Sequence, residues 1–580
     1  MRSPLPRTIL IRLETGRLVV YSLLAGGLVG LLGSGWRYVL EWSLDLGAAV
    51  LGYRPPGTAG EGSLLIAFGD LTPYALLLLP LVAALYASLM PAGRRSDPLN
   101  AVIAGYHARG EWEGAAVQGR GLAATLLGQA SGLLVGRDST FTALGSLSAL
   151  LLARLARLDA AERRILTLAC VAAALGLALH APLAAAVLMA EVLYRRFEFE
   201  FEVLMPCVLA AVCASAVAGL MAGFEPLFAL SGSLTPTAGQ LPLYLLLAAA
   251  VTLLSWILTR MAEGLSGLYS GLLGRLSGWR PWALRLALAA AFGLVTAAIA
   301  LYSAPAVLGG GSGWLQLAVS GFMGPEAGGV AAWRWLLMAL GLQLALGGGV
   351  LVSASVGGLL GVGLASFLGT LGLNLDFPVA ALIGAATCLT VTLNIPVAAA
   401  LLAVTWGGDA LLPAALVSTA LAHSLSGEAS LLSAQVSRRA DSRAHTPGSG
   451  GTTVLGRMAS PLRPLMAQAA AASGAGSGQG ESLPTASTGE PVAPSGPASG
   501  DPQKRQLYRQ DVPKSWLGAR LDLLTLPADM ELLSVVRGGQ VRLASPALRL
   551  SAGDELLLLC TQTEFQDWQG LMRVALQAQS

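Results

Sequence analysis

Ala174–Val192 reads "ALGLALHAPLAAAVLMAEV", and Ala386–Trp406 reads "ATCLTVTLNIPVAAALLAVTW". In each, a polar residue, His180 or Asn394, precedes by two positions a proline that opens an apolar run. Proline cannot continue a helix but fits its first turn, so each stretch reads as helix, break, helix. From Pro182 to Pro396 is an offset of 214 residues, and the same offset carries Gly136 to Val350, beside Gly347–Gly349. Two correspondences at one offset mark an internal repeat. Repeated apolar segments with broken helices are the pattern of secondary transporters, where unwound backbone and helix N-termini form the substrate site near the bilayer midplane.

The rest of the chain fits a bilayer. Of 580 residues, 54% are hydrophobic and 12% charged, whereas soluble domains carry roughly 25% charged residues. Apolar stretches recur from Leu18 to about Leu425, several of them long enough to cross roughly 30 Å of hydrocarbon, and the 71 glycines let membrane helices approach closely and free backbone at breaks. The expected fold is an all-α polytopic membrane protein, an inverted-repeat helical bundle over 18–437 with repeats at about 18–225 and 240–437. Arg2, Arg7, Arg12 and Arg17 precede the first span, which places residues 1–17 in the cytoplasm and gives no sign of a cleaved signal peptide. Cys170, Cys207, Cys213, Cys388 and Cys560 stand singly in apolar runs and read as packing residues.

Beyond the membrane region, 438–513 is rich in Gly, Ser, Ala, Pro and Gln and reads as a flexible linker. Residues 514–578 carry short strand patterns, "LDLLTLP", "ELLSVVRGGQ", "VRLASPALRL" and "DELLLLC", then a possible helix "TEFQDWQGLM", and form a small α+β module, expected to be cytoplasmic.

Three segments lead from glycine into apolar helical runs: "GRRSDPLNA" from Gly93, "GRDST" from Gly136 and "GGGVLVSAS" from Gly347. Taken singly, each reads better as a surface loop with a capping Ser or Asp. The repeat relation between the second and third favours helix starts inside the membrane. Such N-termini present unpaired N–H groups and partial positive charge, which attract an anion without gripping it as a full cation would.

These segments resemble, in order and spacing, the anion-site motifs GSGIP, GREGP and GIFAP of the CLC family of chloride channels and chloride/proton antiporters. The resemblance covers roughly 18–437. It implies an anion site formed by Arg95, Ser96, Gly136, Arg137, Ser139, Gly349, Val350, Leu351 and Leu432. Asp138 falls where the family carries its gating glutamate, one methylene shorter, so that reach into an anion site is harder; its alternative role is an N-cap. At the serine-ligand position stands Arg95, with Ser96 adjacent, and at the tyrosine-ligand position, in "GEASLLSAQV", stands Leu432. Two side-chain hydroxyls are thus in doubt. The proton pathway would run by Glu191 and its successor, but Val192 occupies the family's proton-glutamate position and cannot relay. If transport is coupled, the alternative route is water or another acid, Glu198, Glu200 or Glu202 in "RRFEFEFE", although these read first as a solvated face.

The C-terminal module resembles an RCK-type (TrkA-C-like) regulatory domain through its "RGG" turn and the "GD" before the last strand, which leaves a small ligand open. The implied partners are chloride or a similar small anion, protons if transport is coupled, the lipid bilayer of a bacterial inner membrane, and a second copy of the chain. His107, His180, His423 and His445 show no metal-site spacing, and "GGGSGW" from Gly309 lacks the Lys-Ser/Thr of a phosphate loop. No cofactor, metal, enzymatic activity or nucleic-acid partner is expected. The expected function is anion transport as an uncoupled or weakly coupled channel, with anion/proton antiport as its alternative and a non-conducting anion sensor as the rival of another class.

Overall fold

The computed structural model describes residues 7–90, 98–108, 112–156, 158, 160–230, 232, 234–445, 506–512, 531–537, 540–543, 549–551 and 554–560. It divides the chain into two units, Met1–Leu465 and Met466–Ser580.

The described residues of the first unit are mainly helical. Its first eight helices are α1 (Arg7–Leu51), α2 (Ala75–Leu89), α3 (Pro98–His107), α4 (Ala115–Ala130), α5 (Arg137–Ala156), α6 (Ala160–Leu179), α7 (Pro182–Glu191) and α8 (Phe201–Ala222). The next eight are α9 (Leu241–Gly274), α10 (Arg280–Tyr302), α11 (Ser312–Val319), α12 (Glu326–Gly341), α13 (Val350–Thr370), α14 (Phe377–Leu393), α15 (Pro396–Gly407) and α16 (Leu412–Ser426). Adding 214 to the first residue of α3, α5, α6 and α7 reaches within three residues the start of α11, α13, α14 and α15. The packing follows the same scheme, for α5 lies on α6 as α13 lies on α14, and α2 meets α10, α5 meets α13 and α7 meets α15.

Among the described residues six helices are long and apolar enough to cross a membrane, while α7 and α15 have 10 and 12 residues. At 1.5 Å per residue such helices cover about 15–18 Å, roughly half the hydrocarbon. Their ends therefore have to be satisfied inside the protein. The break before each is local chemistry: His180 and Asn394, 214 apart, both adopt positive φ (49° and 58°), and Pro182 and Pro396 then start the next helix.

At the centre lie α13 and α14, apolar all round and almost wholly buried, as helices surrounded by protein must be. Their close approach depends on glycine: a Cβ at Gly357 would come 2.5 Å from Gly384 O, and one at Gly361 would strike Ala380 O. The same device sits on α1, where Gly26 and Gly30 face Ala210 and Ala214 of α8. Cys170, Cys207 and Cys388 are buried among these helices as packing residues, and Cys213 is half-buried.

The second unit contains an antiparallel sheet of β1 (Gln506–Asp511), β2 (Glu531–Arg537), β3 (Gln540–Leu543) and β4 (Glu555–Cys560) in the order β1-β4-β2-β3. Leu556 and Leu558 alternate into its interior with Val535. Arg537, of the "RGG" sequence, donates from Nε and Nη2 to the two oxygens of Asp554, of the "GD" sequence, both at 2.7 Å. The expected strand "LDLLTLP" and helix "TEFQDWQGLM" lie outside the described residues.

Candidate functional site

Two helix N-termini from different halves of the chain meet, that of α5 after Gly136 and that of α13 after Gly349. Gly349 has φ 111°, and a Cβ there would stand 2.7 Å from Asp138 Oδ2 and 3.1 Å from Ser139 Oγ. Only glycine permits both that backbone and that approach. A side chain at Gly136 would likewise run into Asp138 Oδ1.

Asp138 is 2% exposed. Its Oδ2 accepts the Val350 N–H at 2.5 Å, and its Oδ1 has no hydrogen-bond partner among the described residues. The shorter side chain, expected to have difficulty reaching across, does so because Gly349 brings the two helices together. A helix N-terminus carries about half a positive charge on its free N–H groups, so a carboxylate seated on α13 occupies a place suited to a mobile anion. Its departure would free the first-turn amides of Val350 and Leu351.

Beside Gly349 lies a cavity of about 10 Å³, lined by Gly348, Gly349, Ser353, Leu393, Leu431 and Leu432 among others, room for about one water. Leu432, at the tyrosine-ligand position, forms part of its wall. Ser139 stands against Gly349. The structure thus brings together Gly136, Asp138, Ser139, Gly349, Val350, Leu351 and Leu432. Arg95 and Ser96 lie outside the described residues.

Arg137 shares the α5 N-terminus but its guanidinium is otherwise engaged. It is 5% exposed, ion-paired with Glu61 and bonded to Ala178 O at the end of α6. A buried cation so neutralised ties the start of α5 to the end of α6, and its guanidinium is committed there rather than to an anion. Glu61 was not legible as its partner, because 76 residues separate the two.

Glu191, at the last turn of α7, is 1% exposed, and its two oxygens accept Val397 N (3.0 Å) and Ala398 N (2.8 Å) in the first turn of α15. It satisfies the short helix that its repeat relation predicts. Val192 is buried, and its carbonyl accepts Gln435 Nε2 at 2.7 Å.

The solvated face expected for Glu198, Glu200 and Glu202 is corrected at Glu200. That side chain is fully buried and bonds Tyr194 Oη (2.6 Å), His445 Nε2 (2.6 Å) and Arg439 Nη2 (3.0 Å). Burial alone would raise its carboxyl, but the Tyr194 and His445 contacts outweigh it and hold the group below its ordinary range. Glu202 also pairs with Arg439 (2.8 Å), and Glu198 accepts the Arg439 N–H. Three acids thus hold 438–445, the expected start of the linker, on the α7–α8 turn. His107 bonds Ser442 Oγ and Leu193 O nearby, and His180 bonds Glu225 O at its helix boundary.

The family model described as voltage gated chloride channel matches residues 75–427. A solved CLC-type fluoride/proton antiporter superposes with a TM-score of 0.60 at 19% identity, covering 73% of this chain and 99% of the other. A slow cyanobacterial Cl⁻/H⁺ antiporter gives 0.55 at 20% identity over 72% and 96%, and a eukaryotic CLC transporter 0.50 at 17% over 73% and 74%. At these identities the likeness is one of fold. A search of curated proteins finds no match.

Proposed function

The chain belongs to the voltage gated chloride channel family, a CLC-type membrane protein of anion transport, and on that premise we propose that it passes chloride or a similar small anion through a pathway gated by Asp138. The observation that carries this reading is the Asp138 carboxylate on the Val350 N–H, where two helix N-termini converge. A negative side chain there competes with the mobile anion for the same donors, as a gate must. The resemblance implies a homodimer with a pore in each subunit. The arginines before α1 support a cytoplasmic N-terminus, and the C-terminal sheet is read as a regulatory module.

Transport is read as uncoupled or weakly coupled. Val192 stands where a relay acid would be needed, and the neighbouring Glu191 is committed to the α15 N-terminus through both oxygens. The second reading, anion/proton antiport, has in its favour that Asp138 is buried with one oxygen unpaired, a group suited to accept a proton.

The test is chloride efflux from proteoliposomes with external pH recorded together, comparing wild type with Asp138→Ala. Channel function predicts efflux without stoichiometric pH change and efflux raised about tenfold by the substitution, which removes one charge-assisted hydrogen bond at the site. Proton movement in fixed ratio, abolished in Asp138→Ala, establishes the antiporter. Absence of flux for chloride, fluoride, nitrate and bicarbonate overturns transport in favour of a sensor.

A further inference from the structure

Residues 18–36 in α1 and 203–224, through α8, carry no charged side chain. The first of these runs ends at Arg37 and the second at Glu225. α1 and α8 pack side by side in the same direction, Gly26 against Ala210 and Gly30 against Ala214, so the two charges stand at one level. Arg37 is 20 residues beyond Arg17, about 30 Å along the helix at roughly 1.5 Å per residue, which is the thickness of the hydrocarbon. Arg37 and Glu225 therefore lie at the membrane interface opposite Arg17.

Both residues line a cavity of about 530 Å³ between α1, α6 and α8, a size suited to a small-molecule ligand. Arg37 Nη2 donates to Gly60 O at 3.0 Å, and neither Arg37 nor Glu225 is ion-paired among the described residues. His180 shares the wall. Its Nδ1 donates to Glu225 O at 2.7 Å, so in the neutral ring Nε2 is left to accept. Beneath this rim the walls are small residues, Gly33 on α1, Gly176 on α6, and Ala216 and Gly219 on α8. They leave a slot that reaches Val212, about 15 Å below the end of α8 at roughly 1.5 Å per residue, and Leu220 and Phe224 beside it are exposed. A cation, an anion and an imidazole acceptor thus meet at headgroup depth above an apolar slot.

We propose that this cavity binds one phospholipid with a primary-ammonium headgroup, its phosphate on the Arg37 guanidinium, its ammonium between the Glu225 carboxylate and His180 Nε2, and an acyl chain in the slot along α1 and α8. Arginine is suited to phosphate. A headgroup with no ammonium leaves Glu225 facing a negative charge, and a quaternary ammonium has no N–H to give to His180. The length of the slot and its apolar flanks suit a chain in the bilayer rather than a soluble zwitterion. This inference goes beyond the transport reading and rests only on the membrane embedding of α1 and α8.

The experiment is native mass spectrometry of the purified full chain in detergent, titrated with dioleoyl phosphatidylethanolamine, phosphatidylcholine or phosphatidylglycerol, for wild type, Arg37→Ala and Glu225→Gln. One charge-assisted hydrogen bond is worth about tenfold in affinity, so phosphatidylethanolamine is expected to bind about tenfold more tightly than the other two, and Arg37→Ala to weaken it by about the same factor. Arg37 also holds Gly60, so that variant could act through the fold. Glu225 is exposed and unpaired among the described residues, so Glu225→Gln keeps the fold and is expected to abolish the preference for phosphatidylethanolamine over phosphatidylcholine. Equal binding of the three lipids by wild type, or a preference that survives Glu225→Gln, overturns the assignment. Displacement of the bound lipid by an equal concentration of soluble phosphoethanolamine overturns the lipid as occupant in favour of a soluble zwitterion.

Discussion

Asp138 and Glu191 are both buried carboxylates placed on the N-terminus of a helix from the second half of the chain, and they differ in how completely they are satisfied. Glu191 uses both oxygens on Val397 and Ala398. Asp138 uses one on Val350, and its other oxygen has no hydrogen-bond partner among the described residues. A carboxylate held on both oxygens closes a short helix that cannot reach the membrane surface, so it is part of the frame. One held on a single oxygen, against the glycine that starts α13, keeps an acceptor uncommitted among the described residues. On the proposed reading, the same electrostatic device serves as a rivet at Glu191 and as a gate at Asp138, according to its remaining hydrogen-bond valences.

The hardest way to break that contrast is Glu191→Leu. It strips both donors of α15 of their partner, two charge-assisted bonds worth about 3–5 kcal/mol together, and thermal unfolding in detergent should show the largest loss of this set. If Glu191→Leu unfolds with the wild type, its role as a rivet is wrong.

Glu200 sharpens the contrast with a carboxylate satisfied by side chains. Glu200→Gln should cost about 1–3 kcal/mol and expose 438–445 to limited proteolysis. The sign with pH follows from its depressed carboxyl: the ionised form is favoured in the fold, so its contribution is complete above the ordinary value of 4.5 and is lost as pH falls through the lower folded value. Proteolytic protection of 438–445 should therefore persist at neutral pH and fail only in acid below that range. Loss on raising pH from 6 to 8 would contradict it.

Trp406 tests the reciprocal side of the α7–α15 pair, since its Nε1 donates to Leu179 O at 3.0 Å, at the end of α6. Trp406→Phe keeps most of the ring and removes that bond, for a loss of about 1 kcal/mol in the same unfolding assay.

The smallest stability change is expected from Asp138→Ala, within about 1 kcal/mol of wild type, because a lost hydrogen bond is offset by removal of a buried charge. A loss as large as that of Glu191→Leu would make Asp138 a rivet too.

Much of this was legible in the residues. The helix breaks at His180 and Asn394 follow from the polar-X-proline pattern and its recurrence, because local backbone chemistry repeats when sequence does. That the starts of α5 and α13 lie together is what the family resemblance implies, not something local backbone chemistry dictates. Other features escaped. "RRFEFEFE" alternates like a surface, yet Glu200 is enclosed by Tyr194, Arg439 and His445, and two of those three come from more than 200 positions away. Arg137 reads as an anion ligand until Glu61 is seen beside it.

Composition, the offset of 214 residues and the placing of glycine and proline were enough to determine a membrane-embedded, repeated bundle with helix ends turned inward, since each of these is set by solvent and by local backbone preference. The tertiary structure alone decided which carboxylate is held on both oxygens and which on one among the described residues, and which charged groups neutralise each other. Those outcomes depend on which donor meets which acceptor across the chain, and hydrogen bonds discriminate over fractions of an ångström that no spacing along the sequence encodes.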